Sequence, residues 1–435
     1  MSRKMVDSGI SWIGEIPESW SLKRLKWILA ERKEKNDPQR TDFILSLGAA
    51  YGVIPYSEKE GGGNKAKETL TDYRLAYPND IVMNSMNIIS GSVGLSKYFG
   101  CVSPVYYMLY PYDEACSAEY YCYLFQTTAF QRSLLGLGNG ILMKESSAGN
   151  FNTVRMRIPM EKLGIQNLPL PPAEEQHRIA QFLNTHCSMI DAIIEKTRLS
   201  IGEYNNLKQS VISNAVTKGI RPNRKMKESG IEWVGVMPED WKSINPKVLF
   251  TQRKEKAFAG ERQLTASQQY GVIFQDEYME LTGTKIVTVE KDFDILKHVE
   301  AGDFVISMRS FQGGLEYSTN TGSISSAYVM LIPNLDKVYP RFYRWLLKSS
   351  VYINAIQSTT NMVRDGQAMR YANFIQVRLY DVPLDEQEEI ADYLDEKCRA
   401  LDELIRQKEL LLSEMEAYKK SFIFEYVTGK KEVPA

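Results

Sequence analysis

One stretch of this 435-residue chain is written twice. The 17 residues Lys4 to Trp20 return as Lys225 to Trp241 at an offset of 221, ten of them unchanged, with both tryptophans (Trp12 and Trp20, Trp233 and Trp241) kept. The echo continues: Arg32-Lys33-Glu34-Lys35 with Arg253-Lys254-Glu255-Lys256, and Tyr51-Gly52-Val53-Ile54 with Tyr270-Gly271-Val272-Ile273. Later come Met108-Leu109 and Pro111 with Met330-Leu331 and Pro333, then Glu175-Gln176 with Glu386-Gln387. Solenoid repeats have periods of about 20–50 residues, so this is a duplicated domain. A chain of two similar halves is a pseudo-dimer, which suits a target with two half-sites, as symmetric readers of DNA show.

Charge has to be divided to be informative, because the net value is only −1. Residues 21–165 carry 17 Lys+Arg against 14 Asp+Glu, and residues 242–380 carry 17 against 13. Residues 383–431 carry 8 against 13, so the negative charge gathers near the end. Two mildly positive blocks permit local phosphate contacts without a basic average, although an ordinary solvated surface has the same charge. No run of 18 uncharged apolar residues predicts a membrane span. The first residues lack the apolar stretch of a signal peptide, and five cysteines without a CxxC pair fit a reducing cytoplasm and offer no metal-ligand spacing. A cytoplasmic location is expected.

Each half reads as two unlike parts. Residues 21–168 and 242–381 are rich in Tyr, Gly and short β-branched runs such as Ile81-Val82-Met83 and Phe304-Val305-Ile306, closed by turn residues. One helical stretch is expected in each, Ala118–Leu134 and Tyr339–Ile356, giving an α+β globule with a mostly antiparallel or mixed sheet. From Ala173 to Thr217 and from Leu384 to Thr428 no proline occurs, and apolar residues step by three and four. The expected seams are Ile179, Leu183, Ile190, Ile193, Ile201, Tyr204, Leu207 and Val211, with equivalents Ile390, Leu394, Leu401, Leu404, Leu412, Met415, Tyr418 and Phe422. Pro171-Pro172 and Pro383 precede acidic first turns, and Gly219 and Gly429 are natural stops. Helices of about 45 residues extend roughly 65–70 Å. An antiparallel coiled coil holding the globules at opposite ends is expected, as a ruler or a stalk. About 12 additional residues are placed around Glu161–Leu170 of the first half.

Catalytic apparatus is missing from the sequence. It has no GxxxxGK[ST] loop, no GxGxxG between strand and helix, no HExxH and no methyltransferase Asx-Pro-Pro-aromatic tetrapeptide. His177 and His186 fall on the first long helix, where surface or seam positions are expected. No catalytic and no metal-ligating residue is expected.

Together these features resemble the specificity (S) subunit of type I restriction–modification systems, over essentially the whole chain. The carrying residues are the Ser-Gly-Ile-x-Trp-x-Gly-x-x-Pro-Glu-x-Trp openings (Ser8–Trp20, Ser229–Trp241) and the helix starts Pro172-Ala173-Glu174-Glu175-Gln176 and Pro383-Leu384-Asp385-Glu386-Gln387. The helix ends Val216-Thr217-Lys218-Gly219 and Val427-Thr428-Gly429-Lys430 complete the set. The resemblance implies a first target-recognition domain at 1–168, a long helix at 169–220, a second recognition domain at 221–381, and a second helix with tail at 382–435. It implies a non-catalytic phage-defence subunit whose domains each read one part of a bipartite, asymmetric DNA site, with the helices setting the spacing. Two methyltransferase (M) subunits bringing S-adenosylmethionine would dock on it, and restriction (R) subunits using ATP and Mg2+ would join. A coiled-coil scaffold without DNA specificity and a stand-alone DNA-modifying enzyme are the alternatives.

Direct readout needs Arg or Lys for guanine and Asn or Gln for adenine. Candidates in the first half are Asn84, Asn87, Lys97, Asn139, Lys144 and Asn150; in the second they are Gln268, Gln269, Arg309, Gln312, Arg364, Gln367 and Arg370. The four repeat tryptophans could stack on bases. Their place in the shared frame favours packing where domain meets helix.

Overall fold

The computed structural model describes residues 3–48, 51–59, 66–138, 157–286, 288, 295–307, 310–359 and 369–434. They group into two units: Met1–Thr197 with Leu410–Ala435, and Arg198–Glu409. Each is an α+β body built on an antiparallel four-stranded sheet. In the first unit the spatial order is Leu29–Arg32, Tyr106–Pro111, Ile81–Asn84, Val93–Leu95. In the second it is Phe250–Arg253, Val329–Pro333, Phe304–Ile306, Glu316–Tyr317. Side chains alternate across a strand, and both faces of this sheet are covered. Ile81 and Met83 enter the main core of the first unit, whereas Val82 joins Leu45, Leu47 and Val53 under the hairpin Leu45–Gly48/Gly52–Pro55. Phe304 and Ile306 repeat this in the second unit, with Val305 beneath the hairpin Leu264–Ser267/Gly271–Phe274.

The predicted helical stretches are each two helices: Ala118–Gln126 and Thr128–Ser133, then Pro340–Leu346 and Ser350–Ser358. Thr127 and Ser349 occupy the same repeat position with extended backbones, and their side chains cap the following helix by accepting from the N–H of Phe130 and Tyr352. A hydroxyl that competes with the helix backbone makes a corner there.

The long helices run Ala173–Lys218 and Leu384–Val427. Both end at a left-handed glycine, Gly219 (φ +70°) and Gly429 (φ +73°). Segments of the two pair antiparallel inside each unit. In the first unit Phe182 meets Tyr426 at 4.8 Å between ring centroids, and Lys419 Nζ reaches Asp191 at 2.6 Å. In the second, Ile212 and Val216 share the core with Ile390 and Leu394, and Lys208 Nζ reaches Asp402 at 2.6 Å. The seam differs from expectation in phase. Ile193, Leu207, Leu404 and Tyr418 are exposed, while Ile194, Ile405, Ile212 and Ile423 are buried. The extra residues of the first half also lie elsewhere than expected. Asn167–Leu170 pairs with Ser21–Arg24 as Leu379–Asp381 pairs with Lys242–Ile244, so 167–170 belongs to the shared frame. The short helix Met160–Gly164 likewise matches Tyr371–Phe374, and the insertion falls before it.

An ion pair the sequence did not reveal locks each sheet. Arg32 holds Asp80 through Nε (2.8 Å) and Nη2 (3.1 Å), and Arg253 holds Asp303 the same way at 2.6 and 3.0 Å. Hydrogen bonds donated to the carboxylates hold both guanidiniums above their ordinary range. The Asp303 side chain is 2% exposed. Arg253→Met therefore leaves a buried carboxylate without its cation and costs about 3–5 kcal/mol. Asp402→Asn, at a carboxylate 55% exposed, costs about 1 kcal/mol or less. Chemical denaturation measures both; an unmoved midpoint for Arg253→Met would mean that the Glu300 N–H alone satisfies Asp303.

Candidate nucleic-acid interface

The duplicated opening folds onto the start of a long helix in each unit. Trp20 Nε1 donates to Glu175 Oε2 at 2.9 Å, and Arg3 Nη2 reaches the other oxygen at 2.6 Å. Trp241 Nε1 donates to Glu386 Oε2 at 3.1 Å, with Arg224 on the same carboxylate. Trp241 and Glu386 are fully buried, and Glu386 hydrogen bonding holds Arg224 above its ordinary range. The neighbouring glutamines do a second task. Gln176 Oε1 accepts from the Ser117 N–H (3.0 Å) while its Nε2 donates to the Pro171 carbonyl (2.9 Å). Gln387 does the same with the Tyr339 N–H (2.7 Å) and the Val382 carbonyl (2.8 Å). Trp12 meets Phe130 edge-on at 5.6 Å, and the Trp233 indole donates to the Arg378 carbonyl. All four tryptophans are packing residues of this junction.

With the frame fixed, the candidate readers can be located. In the first unit Asn84 ends a sheet strand, is 9% exposed, and accepts the Met86 N–H with its Oδ1 at 3.0 Å. Asn87 is exposed in the turn that follows, and its carbonyl accepts the Ser92 N–H. Lys97 is exposed too, but the register Ile81↔Leu95 and Met83↔Val93 puts it at the opposite end of the strand pair. Gly94 lies under the hairpin tip, where a Cβ would come within 2.9 Å of Gly52 Cα. Asn139, Lys144 and Asn150 lie outside the described residues.

In the second unit Gln268 and Gln269 are exposed at the tip of the hairpin, and Gln312 is exposed in the short helix Ser310–Gly313. The structure brings these segments together: a Cβ on Gly313 would stand 2.6 Å from Gln268 Nε2, so glycine alone lets the amide lie there. Lys348 Nζ donates to the Gln268 carbonyl (3.3 Å) and to both oxygens of Glu316 (2.9 and 2.8 Å). Burial pushes the Glu316 carboxyl up and Lys348 opposes it. Arg370 is exposed before the helix Tyr371–Phe374, its N–H donating to Asn373 Oδ1. Arg309, Arg364 and Gln367 lie outside the described residues. Sequence reasoning missed Lys348 and Glu316, since neither has a counterpart in the other half: Gln126 and Gly94 stand in their places.

Among the described residues no group of three or more His, Cys, Asp or Glu could hold a metal ion, and no helix is long and apolar enough to cross a membrane. His186 is a helix residue whose Nδ1–H donates to the Phe182 carbonyl at 2.9 Å. His298 lies between Glu261 and Glu300.

Known proteins match both the sequence and the fold. Residues 20–210 match the family model of the type I restriction modification DNA specificity domain. The chain is 23% identical to the protein named MjaX type I restriction enzyme specificity subunit of Methanocaldococcus jannaschii, covering 97% of this chain and 96% of that one. It is 22% identical to the MjaVIII specificity subunit of the same organism, covering 96% and 94%. Among solved structures, a chain from work on complex assembly and conformational transition of the type I R-M system superposes with a TM-score of 0.69 at 13% identity, covering 96% of this chain and 99% of that one. The HsdS subunit from Thermoanaerobacter tengcongensis gives 0.51 at 12% identity, covering 96% and 98%.

The junction assignment is testable. Trp241→Phe removes the indole bond to Glu386 and lowers stability by about 1–3 kcal/mol, while DNA affinity measured well below the unfolding midpoint stays at the parent value. A loss of affinity with an unmoved midpoint identifies a base-stacking role instead.

Proposed function

We infer that this chain, a type I restriction–modification specificity subunit, reads a bipartite and asymmetric DNA site, one part with each half. The observation that carries this reading is the contrast between a shared frame and the divergent segments it carries. Trp20/Trp241, Glu175/Glu386, Gln176/Gln387 and Arg32/Arg253 keep both identity and partners. The sequence between diverges: Asn84-Ser85-Met86-Asn87 stands against Ser307-Met308-Arg309, Lys144-Glu145-Ser146 against Gln367-Ala368-Met369, and Ala49-Ala50 against Gln268-Gln269, with Asn87, Gln268 and Gln269 exposed to solvent. Two equal frames carrying unequal surfaces suit two different half-sequences, since base edges are told apart by the donors and acceptors presented to them. The subunit supplies recognition rather than chemistry, and the paired helices set the gap between half-sites.

Methyltransferase subunits are the partners that the long helices fit. Exposed apolar residues recur at equal repeat positions: Ile193 with Leu404, Leu199 with Leu410, and Leu207 with Tyr418. Large apolar side chains left in water on both copies of a helix favour a partner that binds twice. These two M subunits bring S-adenosylmethionine to adenine, which must be flipped out of the stack to be methylated. R subunits with ATP and Mg2+ join that core.

Two experiments test this reading. Replacing residues 21–165 with the first recognition domain of another family member is expected to change one half of the methylated motif, read by methylome sequencing. If both halves change, independent reading is wrong. For the partners, native mass measurement of the co-expressed complex is expected to give two M per S, with Leu199→Glu and Leu410→Glu together abolishing the association. An M:S ratio of one for the parent chain, or full retention of M by the double variant, contradicts docking on these helices.

A further inference from the structure

The repeat preserves a hairpin of strands in each half and changes the two residues written before its shared Tyr-Gly-Val-Ile. Tyr51-Gly52-Val53-Ile54 and Tyr270-Gly271-Val272-Ile273 are the same four residues, yet Ala49-Ala50 precedes one set and Gln268-Gln269 the other. Building on the DNA-reading function proposed above, we propose that Gln268 and Gln269, together with Gln312, form the surface that selects adenine in the second half-site.

Three observations support this. The first is chemical: a carboxamide presents a donor and an acceptor side by side, the complement of adenine N6 and N7 in the major groove. Alanine offers only a methyl, which suits the methyl of thymine. The second is placement. The Gln268 amide lies over the backbone of Gly313, where a Cβ would stand 2.6 Å from its Nε2, so the hairpin tip and the short helix carrying exposed Gln312 make one surface. The third is a positioning device found, among the described residues, in this half. Lys348 donates at 3.3 Å to the Gln268 carbonyl and is itself anchored on Glu316, whose side chain is 6% exposed. In the first half the residue at the place of Lys348 is Gln126, bonded to the Val93 carbonyl, and that of Glu316 is Gly94, packed under Gly52. Ser267 Oγ closes the tip further by accepting from the N–H of Gln269 (3.3 Å) and Tyr270 (3.4 Å). A tip fixed at its carbonyl and its amides holds its side chains in place before DNA arrives, so less conformational freedom is lost on binding.

The test is a transplant. Gln268→Ala with Gln269→Ala gives the second half the residues that the first has at these repeat positions, and in the second half they are exposed positions that burden the fold little. The full-length chain, assembled with its methyltransferase subunits, selects from a pool of randomised duplexes. Discrimination for adenine at one or more positions of the second half-site is expected to fall by about ten- to a hundredfold, with the first half-site selected as before. Gln312→Ala is expected to weaken an adenine in the same half. Retention of the parent motif by the double variant overturns the inference, as does a parent second half-site without adenine, or a loss spread equally over both halves. Failure of the parent chain to select any bipartite sequence overturns instead the proposed function on which the inference rests.

Discussion

A carboxylate withdrawn from water at the head of each long helix, fully in Glu386 and down to 14% side-chain exposure in Glu175, is the interaction on which each unit depends. Glu175 and Glu386 lie in the first helical turn, where the backbone dipole favours negative charge. That alone does not repay dehydration, which costs several kcal/mol for an ion in a protein interior. The remainder comes from the opening motif, through an indole N–H and a guanidinium on each carboxylate. The partners are 155 positions apart in one half and 145 in the other, so neither end of the arrangement can be changed singly. This coupling accounts for the survival of the opening and of the Glu-Gln pair in both copies, while the domain between them diverged.

The pairing of the long helices divides its energetics differently. Apolar burial at Ile179, Leu183, Ile190 and Ile194, and at Ile390, Leu394, Cys398 and Ile405, supplies the stabilisation. Lys208–Asp402 and Lys419–Asp191 add little, since both aspartates are 55% exposed. Their value lies in register. Asp191 and Asp402 are repeat equivalents, as are Lys208 and Lys419, so one charge pattern duplicated is complementary to itself when antiparallel. Within each unit, sliding one segment along the other would separate that unit's pair, and charges flanking an apolar seam specify such registers.

The long helices were legible in sequence because a 3.6-residue period sustained over some twelve turns has few other meanings, and their glycine stops carry positive φ in the structure. The seam was less legible. Ile193 and Ile194 are adjacent, as are Leu404 and Ile405, and only packing decides which of each pair turns inward. Local chemistry also hid the corners at Thr127 and Ser349, where a single hydroxyl outweighs a run of good helix formers. The candidate readers were legible by residue type alone. Whether Asn84 faces solvent or closes a turn, or whether Gln268 meets Gly313, depends on contacts between segments far apart in sequence. Lys348 and Glu316 escaped because one copy of the repeat has them and the other does not.

The same division between fixed requirement and free solution appears in the cores. The last turn of a helix leaves carbonyls without intrahelical partners, and Val216 and Val427 are repeat equivalents at such ends. Tyr120 donates to the Val427 carbonyl at 2.7 Å in the first unit, but its counterpart is Phe342, which has no hydroxyl. In the second unit Tyr380 donates to the Val216 carbonyl, and its counterpart is Pro169. Burial pushes both tyrosine hydroxyls well above their ordinary range, which keeps them protonated donors. One buried acceptor is thus met by hydroxyls from two different elements, a helix in one copy and a strand in the other. The physical demand is for a donor at that point in space, and it says nothing about which residue brings it. Cores held to such demands can drift in sequence without losing their frame, and a frame that persists under drift leaves the exposed tips free to change.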